Sequence, residues 1–399
     1  MTNEDPLTSS EGRRIFRVYL VLSVLQDCSR WLASSFMIIY LLQFVSVFEL
    51  GIIMGTAFLT AAIMDYPTGA LADLLGVRTV MLIAYTGFIL SWTLYLIAQN
   101  FLLFVLIAII WGFSLAQASG TGLAWFYNSY SLIGVSPTKL RKKYANVATM
   151  TKIGTSIIVF VGGTLATLVS PHLTFLVGIG FSFITIVFSL VFLKYNSQKT
   201  ITETTTKNKF QDYISQLRAG IITTLSFPAL ILIFLIASIA SINQIILDVS
   251  LQPDISHLGL ELSLSEDMIG FILSGFYSGI VLIQAAGFYL SGKVSHYSTE
   301  KVMIGTSFVF STALFSLMSF SQVISFNYAL VFFLLVVTVH IFQFPLYYTN
   351  VMSLLNSNIP NEHRTSIISL QSTSVKLIGA AGAVGIGILR ETITTQTYL

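Results

Sequence analysis

The chain has 399 residues, of which 55% are hydrophobic and only 9% charged, with a formal net charge of +3; a water-soluble domain carries about 25% charged residues. This composition cannot cover a hydrated surface, so it excludes a soluble globular protein and points to an all-α integral membrane protein, whose helices satisfy their own backbone groups in lipid. A single cysteine, Cys28, excludes an internal disulfide and a thiolate metal cluster, and its apolar setting makes it a small buried hydrophobe.

The first fourteen residues are polar and end in Arg13 and Arg14. The apolar run that follows, about 15–42, is too long for a signal-peptide core and lacks a small-residue cleavage site, so it is expected to stay as the first span. Further segments of bilayer-crossing length, about 20 residues, lie near 46–66, 78–98, 101–127, 144–168 and 172–194. These make an N-terminal six-helix bundle over residues 1–194. A polar stretch over 195–218, rich in Thr, Lys and Gln, reads as a cytoplasmic linker. Spans resume near 219–247, 267–291, 300–320, 327–354 and 364–389, giving a C-terminal bundle of five helices over 219–399 and about 11 transmembrane helices in all. Because the chain stops at Leu399, the twelfth helix that would complete two equal halves is expected to be missing and the C-terminus to lie outside.

Charge placement sets the orientation. With the N-terminus in the cytoplasm, nearly all of the 20 Lys and Arg residues fall on the cytoplasmic side; Arg390 falls outside, and Arg30, Lys152 and Lys376 lie within spans. The positive-inside rule then predicts a multi-pass protein of the plasma membrane with a cytoplasmic N-terminus. The halves also echo each other. Gly51-x-x-x-Gly55 in span two matches Gly275-x-x-x-Gly279 in span eight, each spacing allowing close helix approach. Asn128, Ser131, Leu132 and Gly163 recur as Asn350, Ser353, Leu354 and Gly385 at a constant spacing of 222, the pattern of an internal duplication.

After span two the chain reads Asp65-Tyr-Pro-Thr-Gly-Ala-Leu-Ala-Asp73-Leu-Leu-Gly76-Val-Arg78. This resembles the loop signature Gly-x-Leu-x-Asp-x-x-Gly-x-Arg of the major facilitator superfamily, matched by Gly69, Leu71, Asp73, Gly76 and Arg78. The resemblance implies the major facilitator fold of two pseudo-symmetric helical bundles. It further implies a gating loop in which Asp73 meets Arg364 or the start of span eleven, weakened by Leu74 and Val77 where basic residues are usual. The tract from Ser119 to Ser129, with the basic Lys139–Lys143 stretch after it, looks like span four of a bacterial Pro-Thr-Gly-loop subgroup regarded as drug exporters. That subgroup commonly carries acids where this chain has Leu123 and Asn128, so proton coupling would pass to Asp27 or Asp65.

Charges inside spans are the functional pointers, since each costs roughly 2.5–3.5 kcal/mol on insertion scales. Asp27 and Arg30 stand three apart, on one helical face and close enough to pair, with Gln26 one turn before Arg30. Lys376 in span eleven and Lys152 in span five add cations, so three of them face only Asp27 at depth, and an anionic substrate would supply the missing charge. Snorkelling of Lys152 and an inter-helix partner for Lys376 are the structural alternatives. Gln117 and Trp125 in span four, Asn243 and Gln244 in span seven, and His340, Gln343 and Tyr347 in span ten are polar groups in spans that, by the resemblance, line a central cavity. Asp65 is placed near the cytoplasmic end of span two, within reach of its loop.

No phosphate loop, metal-ligand spacing, nucleophile elbow or dinucleotide fingerprint occurs, so no enzymatic site, cofactor or metal is expected. The sequence reads as a monomeric secondary transporter of a small organic solute, coupled to protons and seated in the lipid bilayer, with no nucleic-acid partner. Export of an amphipathic or anionic compound follows from the subgroup resemblance. Uptake of a small anionic nutrient, or a non-transporting scaffold or sensor, are the rivals.

Overall fold

The computed structural model describes residues 9–119, 121–135, 137–193, 221–294 and 364–397, with isolated positions between 305 and 348. All of the regular structure among these is helical: α1 Ser10–Trp31, α2 Met37–Leu42, α3 Val47–Leu75, α4 Val77–Tyr95, α5 Phe101–Ala118, α6 Thr121–Leu132, α7 Pro137–Leu168, α8 Pro171–Phe192, α9 Pro228–Glu261, α10 Glu266–Val294 and α11 Arg364–Thr397. Among the described residues seven helical segments are long and apolar enough to cross a membrane. The linker at 195–218 and the bulk of spans 300–320 and 327–354 lie outside the described residues.

Local sequence explains where the helices start. Ser9 caps α1 by accepting the Gly12 N–H at 3.0 Å, and Asn100 caps α5 by accepting the Leu103 N–H at 3.0 Å. Before α3, Ser46 and Glu49 form a reciprocal capping box: the Ser46 N–H donates to Glu49 Oε2 at 2.8 Å and the Glu49 N–H to Ser46 Oγ at 3.2 Å. Pro137, Pro171 and Pro228 each open a helix at its first position, where the missing N–H costs nothing.

The helices depart from the expected spans in four places. The stretch beginning at Asp65 is not a loop: α3 continues to Leu75 with Pro67 and Gly69 inside it, so the surrounding context overrides the low helix propensity of those two residues. Only Gly76 interrupts it, with φ +83°, a conformation glycine adopts without strain. Span one is not continuous: residues 32–36 form turns between α1 and α2. Span four stands as one membrane-crossing segment, Phe101–Tyr130, with an extended residue at Ser119 between α5 and α6. Span seven is helical over 221–226, steps at Phe227 and continues as α9 from Pro228 to Glu261, well past the expected end at 247.

The chain forms two compact units, each interleaved from three segments and each drawing on both sides of the linker. Unit one comprises Met1–Tyr40, Ala124–Phe181 and Ser250–Leu354. Its principal contact joins α7 to α10, and α1 packs on α7. Unit two comprises Leu41–Leu123, Ser182–Val249 and Leu355–Leu399. There α3 packs on α11 and on α5, with α4 against α5.

Small residues set these approaches. In unit two, a Cβ on Gly51 would sit 2.7 Å from the Ala383 carbonyl oxygen, and one on Gly55 2.8 Å from Val384. In unit one the α7–α10 contact runs instead through Gly163 with Ser274, Thr167 with Gly270, and Ser156 with Ser278, whose hydroxyls lie 2.8 Å apart. Gly275 and Gly279, expected to mirror Gly51 and Gly55, stand off this face: a Cβ added at either would have nothing within 4 Å among the described residues. The contact runs through the residues beside this spacing, Ser274 and Ser278.

Thermal unfolding in detergent tests this asymmetry. Gly51→Ala overpacks a closed crossing and is expected to destabilise by about 1–3 kcal/mol, whereas Gly275→Ala, in open space, should stay within about 0.5 kcal/mol of the native chain.

Candidate functional site

Two buried carboxylates organise the charged groups, one in each unit. In unit one, Asp27 lies on the last full turn of α1 and is 6% exposed. Its Oδ1 accepts from Arg30 Nη2 at 2.7 Å; its Oδ2 accepts from Thr155 Oγ1 at 2.8 Å and faces Lys152 Nζ at 3.7 Å. Arg30 Nε donates to the Gln26 carbonyl at 3.1 Å, one turn back on α1. Lys152 also lies 5.8 Å from the centre of the Trp31 ring, near enough for a cation–π contact. Lys152 therefore reaches towards α1. Among the described residues one carboxylate serves two cations. Both cations keep partial exposure, 17% for the Arg30 side chain and 24% for that of Lys152.

In unit two, Asp65 of α3 joins three elements. Its Oδ1 accepts from Ser119 Oγ at 2.9 Å, at the C-cap of α5. Its Oδ2 accepts from Ser372 Oγ at 2.7 Å and pairs with Lys376 Nζ, both on α11. Lys376 thus has a carboxylate of its own. Asp65 bonds across to neighbouring helices.

The other candidates distribute as follows. Gln26 is buried on α1. Gln117 is buried on α5 in unit two, and its carbonyl accepts from Thr121 Oγ1 at 2.7 Å. Trp125 is half-buried on α6 in unit one, and Asn128 is exposed. Arg78 is half-buried in the first turn of α4. The side chains of Asn243, Gln244, Gly69, Leu71, Asp73 and Arg364 lie outside the described residues, as do His340, Gln343 and Tyr347 altogether.

Thr155, Ser119 and Ser372 escaped the sequence reading. Thr155 sits three residues after Lys152 and Ser372 one turn before Lys376, so each shares a face with a buried cation, a signal that could have found them. Hydroxyls in apolar helices commonly bond their own preceding turn, as Thr155 also does to the Thr151 carbonyl at 2.8 Å, which masks the others.

The sequence model of the Major Facilitator Superfamily matches residues 19–383. The chain belongs to the Major Facilitator Superfamily. Its fold resembles a point mutant of the nucleoside transporter NupG, with a TM-score of 0.72 at 16% identity, covering 94% of this chain and 90% of that one. It also resembles a D-xylose–proton symporter, with a TM-score of 0.69 at 14% identity and coverage of 94% and 89%. The xylose transporter XylE from E. coli, in a partially occluded inward-open form, matches with a TM-score of 0.65 at 14% identity, covering 96% and 92%. No curated protein matches the chain. The protein is therefore a multi-pass secondary transporter of this superfamily, and its buried charges belong to helices of a transport fold.

Breaking the Asp65–Lys376 pair strands a charge in a low-dielectric interior. Asp65→Asn and Lys376→Met are each expected to lower unfolding stability by about 3–5 kcal/mol, and the double variant to recover most of that loss. A double-variant thermal unfolding cycle in detergent measures this coupling.

Proposed function

We propose that this transporter carries a small organic anion together with a proton, with Asp27 as the titrating group and Arg30 and Lys152 as the groups that hold the anion. The observation that carries the reading is the sharing of one buried carboxylate by two partly exposed cations. While Asp27 is ionised it occupies Arg30 and screens Lys152. Protonation removes that charge, and the two cations then favour an incoming carboxylate. The reverse also holds by linkage: a bound anion raises the proton affinity of Asp27. Proton and solute bind in support of each other, so they travel in the same direction.

Proton-driven export, the reading favoured by the Pro-Thr-Gly tract, requires the two to compete for one state. A single acid between two cations does not supply that competition. Asp65 is held by Lys376 and two hydroxyls, which suits a structural tie better than a titrating relay. The similar solved structures are named as transporters of a nucleoside and of a pentose, and these set the size of solute worth trying, a single ring or sugar acid.

The rest of the machinery is proposed as follows. The halves 1–194 and 219–399, joined by the linker at 195–218, alternate around a midplane site in a plasma membrane with the N-terminus in the cytoplasm. Gln26, Gln117, Trp125, Asn243, Gln244, His340, Gln343 and Tyr347 supply polar contacts in the pathway, and Asp73 and Arg364 with the Gly69–Arg78 tract close its cytoplasmic end.

The test is flux in proteoliposomes with labelled benzoate and gluconate, and with uridine and xylose as neutral controls. Native protein is expected to accumulate an anion down an inward proton gradient. Asp27→Asn should keep anion exchange and lose gradient-driven accumulation, and Arg30→Ala should lose both. Accumulation by Asp27→Asn equal to native, or transport of the neutral solutes alone, contradicts the reading.

A further inference from the structure

The turn that interrupts the first membrane segment is bridged by one side chain. Residues 32–36 separate α1 from α2, and in a continuous helix the Ile38 N–H would donate to the Ser34 carbonyl, four residues back. Here the two groups are joined to opposite ends of a single carboxamide. Gln252 Oε1 accepts from the Ile38 N–H at 2.9 Å, and Gln252 Nε2 donates to the Ser34 carbonyl at 2.6 Å. The same Oε1 lies 3.3 Å from the Ile39 N–H. Gln252 is 2% exposed and all of these groups belong to unit one. The carboxamide has taken the place of one rung of the helix ladder, an insertion known to bend helices.

The surrounding geometry fits a segment kept open. Ser34 N–H bonds back to the Trp31 carbonyl at 3.1 Å and Phe36 N–H to the Ala33 carbonyl at 3.2 Å, the shorter three-residue pattern of a tightened turn. A Cβ on Gly162 of α7 would lie 2.0 Å from the Leu32 carbonyl oxygen, so α7 meets the open turn backbone to backbone. In lipid a backbone group left without a partner is costly, so this turn persists only while something fills it.

We infer that Gln252 is a positioning residue that holds the first membrane segment in a broken form. Its withdrawal lets the Ile38 N–H close on the Ser34 carbonyl, and the segment becomes continuous. Both states satisfy the same two backbone groups, so the exchange leaves neither of them without a hydrogen bond. Movement of α9 at Gln252 is thereby converted into a bend or a straightening of α1, a two-state element of the kind that transmits motion between helices.

The consequence for transport rests on the anion-site reading. Asp27 and Arg30 stand in the last turns of α1, immediately before the break. Arg30 is the basic residue in the last turn of α1, where a helix end favours a cation, and its guanidinium is held by the Gln26 carbonyl as well as by Asp27. A continuous segment removes that helix end and its field, which loosens the hold on Arg30. Gln252 would act on the site through this geometry without touching the solute.

The experiment needs no substrate, so its outcome is separable from that of the anion reading. Spin labels are attached at Val21→Cys on α1 and Ile39→Cys on α2 in a Cys28→Ala background, and their separation is measured by pulsed electron resonance in lipid nanodiscs. A continuous helix puts these positions about 27 Å apart along its axis. The native Gln252 chain is expected to show the bent distance as its main population. Gln252→Leu, which fills the space without hydrogen bonding, should move the population towards the continuous value. Gln252→Glu keeps the acceptor and loses the donor to Ser34, and is expected to show both populations; it serves if Gln252→Leu does not fold. An unchanged distance in the folded variants, or one broad distribution without the second peak, overturns the inference.

Discussion

In hydrocarbon no water is available to satisfy a charge or an open backbone group, and the rest of this structure depends on that constraint. Each buried polar group must find its partner within the protein. Asp65 finds three, drawn from α5 and α11. Asp27 finds Arg30, Thr155 and Lys152. The turn between α1 and α2 finds Gln252. These three sites share a chemistry but differ in balance. At Asp65 one cation meets one anion, which ties helices together. At Asp27 two cations meet one anion among the described residues, the arrangement on which the anion reading rests. At Gln252 the groups are neutral and the bond can be exchanged for an equivalent one.

The helix contacts divide the same way. The α3–α11 crossing closes on glycine, with Gly387 lying against the backbone of Val47 and Gly51, and is tied further along by Asp65 and Lys376. The α7–α10 crossing closes on hydroxyls, of which the Ser156–Ser278 pair can donate in either sense. Hydroxyl contacts reform after small displacements, while an ion pair in a dry interface resists separation. The two crossings hold their partners by different means.

How much of this was legible in the sequence follows from what kind of signal each feature leaves. Hydropathy shows the spans because lipid demands long apolar runs, and the Gly69–Arg78 pattern shows the family because five residues at set spacings seldom coincide. The Asp27–Arg30 pair was visible because it is local, three residues apart on one helix. Asp65 with Lys376 was not, since their partnership spans more than three hundred positions and each alone has several ways to be satisfied. The break at residues 32–36 left no mark: Leu-Ala-Ser-Ser-Phe contains neither Gly nor Pro, and its cause is a glutamine on another helix. Gly275 and Gly279 show the converse limit, where a motif spacing is present and the contact runs along the neighbouring face.

The most direct test of the account is the proton count on binding. Native protein in detergent, weakly buffered near neutral pH, is titrated with the anion found to be transported while a pH indicator records proton exchange. The account predicts proton uptake as the anion binds, because a second negative charge between Arg30 and Lys152 pushes Asp27 to its neutral form, and no uptake in Asp27→Asn at comparable affinity. Uptake of equal size in Asp27→Asn, or anion binding in the native protein without any proton, would contradict it.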